Sequence, residues 1–118
     1  MPTMFTTTRM VLGAALIVSL GTATTLRAGQ GDAKRGQEVY TAQKCQVCHA
    51  IAGKGGKASP LDGVGAKLTA DDIRQWITHP KEAAAKAKST KKPPMPNKYA
   101  TLPAADLDSL VAYMASLK

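Results

Sequence analysis

Two thiols and an imidazole stand together in Cys45-Gln46-Val47-Cys48-His49, and these are the only cysteines of the chain. C-x-x-C-H is the attachment pattern of a c-type haem. Two thiols three residues apart can each add to one vinyl group of the same porphyrin, giving two thioethers. The residue after the second thiol is then held beneath the iron, where an imidazole can ligate it. A bare C-x-x-C can also be a disulfide, a redox pair or half of a zinc site. A redox pair usually opens a helix after a strand, and no strand is visible here. Zinc would need further ligands, and His79 is the only other histidine.

A haem iron held by His49 on one side needs a ligand on the other. A thioether is soft and neutral, and suits haem iron opposite histidine. Met95 sits in Pro93-Pro94-Met95-Pro96, a stiff, extended segment where three prolines fix φ and remove backbone donors. Loops seldom hold a long apolar side chain without a reason, so Met95 is the expected distal ligand. Met114 shares a helical stripe with Leu107 and Leu110 and is expected in the core. His79, before Pro80, is read as a helix-end residue.

The elements that must position these groups are helical. Asp32 is an N-cap for a first helix running to about Lys44, with Ala33, Gly36, Val39 and Tyr40 on one side. Thr69-Ala70-Asp71-Asp72 resembles a capping box that opens a second, with Ile73, Trp76 and Ile77 as its stripe and Pro80 as its stop. A third follows Pro103, with Leu107, Leu110, Val111, Met114 and Leu117 on one face. Between the last two, Lys81–Lys86 can hold a helical turn, with Glu82 and Lys86 paired. No segment alternates like a strand. The expected fold class is all-α, three main helices and loops wrapped around one haem.

The first 28 residues read as a cleaved secretory signal peptide: Arg9, then an apolar run from Met10 to Leu20, then small and polar residues up to Ala28. That run is about 11 residues, against the roughly 20 a membrane-spanning helix needs. Cleavage after Ala28 is preferred to cleavage after Ala23, and no membrane-spanning segment is expected in the mature chain. Residues 29–118 are expected to form one small domain in the periplasm, which agrees with haem attachment to C-x-x-C-H taking place outside the bacterial cytoplasm. So small a domain makes a thin core by itself, and beyond the leader its aromatics are only Tyr40, Trp76, Tyr99 and Tyr113. A porphyrin would fill it. The formal net charge of the whole chain is +8. Export and the lack of aromatics interleaved with lysines argue against nucleic acid as a partner.

The sequence resembles the class I, mono-haem c-type cytochromes across nearly all of residues 29–118. The motifs stand in family order: Gly36 and Tyr40; Cys45-x-x-Cys48-His49; Ser59-Pro60-Leu61-Asp62-Gly63-Val64-Gly65; Trp76-Ile77-x-x-Pro80; Pro94-Met95-Pro96; and Leu110-Val111-Ala112-Tyr113. The resemblance implies that the carbonyl of Pro60 accepts a hydrogen bond from the proximal imidazole, and that Leu61 packs on the haem face. It implies that Gly36 lets the first and last helices cross closely, with Tyr40 set against Leu110 and Tyr113. Trp76 matches a position near a haem propionate, although plain core packing would explain it equally well. Asn97 and Tyr99 are candidates for hydrogen bonds to the Met95 sulfur or a propionate. Lys81–Lys92 is longer and richer in lysine than in many of these cytochromes.

The expected function is single-electron transfer by one covalent haem c, attached through Cys45 and Cys48 and ligated by His49 and Met95. No general base, nucleophile or phosphate loop is apparent, so no enzyme activity is expected. Lys54, Lys57, Lys91, Lys92 and Lys98 flank the ligand segments and suit brief docking of a monomer to acidic redox proteins. A second reading is a haem subunit of a larger oxidoreductase, of the sulfur-compound oxidising or terminal oxidase type. A third is a weak peroxidase or gas-binding site, should Met95 leave the iron open.

Overall fold

The structure, a computed structural model, describes residues 31–118. The leader expected at residues 1–28 lies outside the described residues. Three helices form the frame: α1 (Ala33–Ala42), α3 (Ala70–Thr78) and α5 (Ala104–Ser116). Two shorter ones, α2 (Val64–Lys67) and α4 (Pro80–Lys86), and two 3-10 turns, Cys45–Val47 and Asn97–Thr101, complete the helical content of the described residues.

Local chemistry sets the helix boundaries. The Asp32 carboxylate accepts from the Lys34 N–H at 2.9 Å and starts α1. The capping box of α3 is complete. Thr69 Oγ1 accepts from the Asp72 N–H at 3.1 Å, and Asp72 Oδ2 accepts from the Thr69 N–H at 3.2 Å. The Thr69 hydroxyl also donates to Asp72 Oδ2 at 2.8 Å, and this bond, followed by that from the Thr69 N–H, holds the Asp72 carboxyl below its usual range. Pro80 both ends α3 and opens α4, because its missing N–H is unneeded in a first turn. The turn expected at Lys81–Lys86 is therefore a full short helix.

The apolar stripes of the three main helices meet in one core. Val39 and Tyr40 of α1, Ile73 and Ile77 of α3, and Leu110, Val111 and Met114 of α5 are buried there, with Tyr99 from the second 3-10 turn. Met114 is 5% exposed, in keeping with its place on the stripe. The helices α1 and α5 cross at Gly36, where a methyl group would lie 2.6 Å from Tyr113 Cβ and closer still to the Ser109 carbonyl oxygen. The rings of Tyr40 and Tyr113 meet edge to face beside this crossing, their centroids 5.8 Å apart.

One element was not expected. Strands β1 (Ala50–Ile51) and β2 (Lys54–Gly55) form an antiparallel hairpin, Ala50 opposite Gly55 and Ile51 opposite Lys54. The turn residues Ala52 and Gly53 both have positive φ, 52° and 76°, the pattern of a two-residue primed turn. Asp62 Oδ1 accepts from the Ala52 N–H at 2.7 Å, which helps Ala52 hold a conformation that alanine normally avoids. Two-residue strands are too short to leave an alternating pattern, so nothing in the sequence marked them.

Candidate functional site

The residues from Cys45 to His49 are wound into a single tight turn. The Cys45 carbonyl accepts from the N–H groups of both Cys48 (3.2 Å) and His49 (3.0 Å). Neither cysteine is in a disulfide; Cys45 is half-buried and Cys48 exposed. Burial pushes the Cys45 thiol above its usual range, partly opposed by the positive charge of Lys98. Tyr99, in the Asn97–Thr101 turn that follows the Met95 loop, belongs to the core cluster against which Cys45 also packs.

The hairpin carries the loop that orients His49. Leu61 donates its N–H to the Ala50 carbonyl at 2.9 Å, and Asp62 reaches the Ala52 N–H. The loop so pinned brings the Ser59 carbonyl to 2.8 Å from His49 Nδ1. A carbonyl can only accept, so this bond requires the proton on Nδ1 and leaves the Nε2 lone pair free. That is the tautomer a metal-ligating histidine needs. The expectation for Pro60 is corrected here. The carbonyl facing the imidazole belongs to Ser59, because the bonds to Leu61 and Asp62 set the loop's register, and Pro60 itself is exposed. Leu61 is half-buried and packs against the core, as Met95 does.

Met95 stands out from its surroundings. From Ala85 to Lys98 it is the only residue that is not exposed. Three prolines and two lysines face solvent while the thioether packs against the core cluster. Lys91 Nζ lies 3.4 Å from the Ala58 carbonyl, joining this loop to the segment that orients His49. Of the remaining candidates, Tyr99 is buried with the Lys98 ammonium 5.2 Å from its ring centroid, and Asn97 is exposed. His79 is exposed at the α3–α4 junction, its Nδ1 2.8 Å from Thr78 Oγ1.

Trp76 is half-buried, but it is not among the residues packed on the core cluster. It lines a groove of about 320 Å³ between α3 and α4, together with Leu68, Asp72, Glu82 and Lys86. On α3, Ile73 and Ile77 take the core-facing positions and Trp76 falls to one side. Plain core packing does not describe it.

Two contacts escaped sequence reasoning. Tyr40 Oη donates to the His49 carbonyl at 3.0 Å. Burial pushes the Tyr40 hydroxyl pKa up to about 12, so it remains a donor at ordinary pH. Gly55 lies so close to the same carbonyl that no side chain would fit. No periodicity or spacing relates Tyr40 or Gly55 to His49.

The donor set fits a covalently held haem. It offers two unpaired thiols in one turn, an imidazole with Nε2 free, and a half-buried thioether in a rigid loop. It does not fit zinc: among the described residues no three His, Cys, Asp or Glu side chains converge on a common point. A family model described as Cytochrome c matches residues 33–118. No curated protein and no solved structure matches the chain.

Proposed function

The chain belongs to the cytochrome c family, and from that premise we propose that it is an exported, soluble carrier of single electrons whose iron is ligated by His49 and Met95. As a member of the family it carries haem c on its two cysteines, Cys45 and Cys48, and serves haem-based electron transfer. Bound there, the haem supplies a one-electron ferric/ferrous couple.

The protein's own groups do the rest. Ser59 fixes the imidazole tautomer and ring, so that His49 Nε2 is presented as a donor. Met95 presents sulfur from a loop that its prolines keep stiff. A histidine and a thioether together favour the ferrous state over a bis-histidine pair and raise the potential. His49 and Met95 would hold the iron from their two loops, and a site so held would suit electron transfer rather than substrate binding. The observation that carries this reading is the inward placement of Met95 in an otherwise exposed loop.

The carrier reading draws on the surface as well. Segments 44–57 and 88–98 contain seven lysines and no Asp or Glu, and the Lys91 contact with Ala58 joins them. Several carboxylates elsewhere are paired: Glu38 and Asp106 with Arg35, Asp108 with Arg74, and Asp72 with Lys86. A lysine face around the ligand loops suits brief, salt-sensitive docking to acidic redox proteins. A permanent subunit would present a broad apolar surface. Among the described residues, Val47, 70% exposed, is the one large hydrophobic in the open. No helix among them is long and apolar enough to cross a membrane. Export to the periplasm rests on the leader at residues 1–28, and a mature protein beginning at Gly29 is the expected product.

Methionine substitution tests the ligand assignment. Met95→Ala is expected to abolish the weak far-red sulfur-to-ferric-iron band, lower the potential and open the iron to carbon monoxide. Met114→Ala is expected to keep the band and lose about 2–5 kcal/mol of stability from the cavity it leaves. Loss of the band in Met114→Ala and its survival in Met95→Ala would reverse the assignment.

A further inference from the structure

One side chain joins the α1–α5 crossing to His49. Tyr40 lies one turn beyond Gly36 on α1 and is 7% exposed. Its ring is held against Tyr113, edge to face. The hydroxyl at its far end donates to the main-chain carbonyl of His49 at 3.0 Å, and Gly55 covers the same oxygen closely. His49 is thus held at three points: its N–H donates to the Cys45 carbonyl, its ring bonds Ser59 through Nδ1, and its own carbonyl accepts from Tyr40.

We propose that Tyr40 is a positioning residue for the proximal imidazole. By tying the His49 peptide to the helix crossing, it sets where Nε2 points. The Cys45 bond holds only the N–H side of His49, so its carbonyl, and the Cα with it, could still turn. A buried tyrosine on that carbonyl removes the remaining freedom. Tyr40 touches none of the reacting atoms and acts through His49 alone. The proposal rests on the reading of His49 as the proximal ligand.

The test uses haem-loaded wild type, Tyr40→Phe and Tyr113→Phe. The second variant trims the other ring of the same pair, whose hydroxyl makes no hydrogen bond among the described residues. The readouts are the midpoint potential and the His49 ring resonances of the reduced protein in NMR. Tyr40→Phe is expected to move the ring resonances and raise the potential, since a less firmly held imidazole stabilises the ferric state less. Tyr113→Phe is expected to change neither. Wild-type values in Tyr40→Phe, or equal changes in both variants, would overturn the proposal. Should Tyr40→Phe fail to fold or to take up haem, the wild type still decides. The Tyr40 hydroxyl proton is expected to exchange slowly and to show a nuclear Overhauser contact with His49, and absence of that contact would also overturn the proposal. Wild-type His49 ring protons without the upfield shift of an iron-bound imidazole would remove the ligand reading, and the proposal with it.

Discussion

Replacing Gly36 with alanine sets two effects of opposite sign against each other. Gly36 lies inside α1, where alanine is favoured over glycine by about 1 kcal/mol. If propensity alone governed the site, Gly36→Ala would stabilise the protein by about that amount. The structure gives the opposite sign. The added methyl would stand 2.6 Å from Tyr113 Cβ and from the Ser109 carbonyl carbon, well inside the roughly 3.5–4.0 Å of a comfortable carbon contact. Part of that obstacle is the backbone of α5, which cannot rotate aside as a flexible side chain would. The helices must separate, drawing Leu110, Val111 and Met114 away from Val39 and Tyr40. Overpacking of this kind costs about 1–3 kcal/mol, and a backbone obstacle puts it at the upper end. After the propensity gain, a net loss of about 2 kcal/mol remains. Urea unfolding of the haem-loaded protein, followed by far-ultraviolet circular dichroism, measures it. Gln37→Ala, on the exposed side of the same helix, is the control and should change stability little. A Gly36→Ala protein more stable than wild type would mean that the helices do not meet there.

Three further outcomes are expected. The haem should stay on the polypeptide through acid–organic extraction, whereas Cys48→Ala should leave at most one thioether and a poor yield; a mature mass equal to the bare chain would contradict covalent attachment. Thr69→Ala should destabilise the protein at neutral pH, with the gap closing on acidification. The Asp72 carboxyl is held below its ordinary range chiefly by the Thr69 hydroxyl, so its contribution is present above the unfolded-state value of about 4 and fades as pH falls through the lower folded-state value; a gap unchanged by acid would remove Asp72 from the account. Lys57→Glu with Lys92→Glu, on the two ligand-flanking loops, should slow electron transfer to an acidic acceptor more than Lys34→Glu with Lys81→Glu, and added salt should shrink the difference; equal slowing by both pairs would mean that only net charge matters, and slowing by neither would favour a permanent subunit.

The covalent chemistry and the helical frame were legible in the sequence because both are local. Cys45, Cys48 and His49 declare attachment by spacing alone. Asp32 and the Thr69–Asp72 box mark helix starts through bonds that span two or three residues. The stripe through Leu110, Val111 and Met114 follows from helical period. Met95 could be singled out because a long apolar side chain is unusual in a loop stiffened by prolines on both sides. The tertiary structure decided what depends on backbone dihedrals accumulated along a loop and on contacts between distant segments. Whether Ser59 or Pro60 turns its carbonyl toward His49 is settled by the pinning of Leu61 and Asp62 to a hairpin of four strand residues, which leaves no pattern in the sequence. Trp76 belongs to the same stretch as Ile73 and Ile77, yet the groove it lines exists only because α4 folds back beside α3. The bond from Tyr40 to His49 spans nine residues and depends on how the chain turns back from α1 into the hairpin, which no spacing records. Spacing along a chain records which groups can react, but the direction in which a carbonyl or a hydroxyl points is fixed only when separate segments pack against each other.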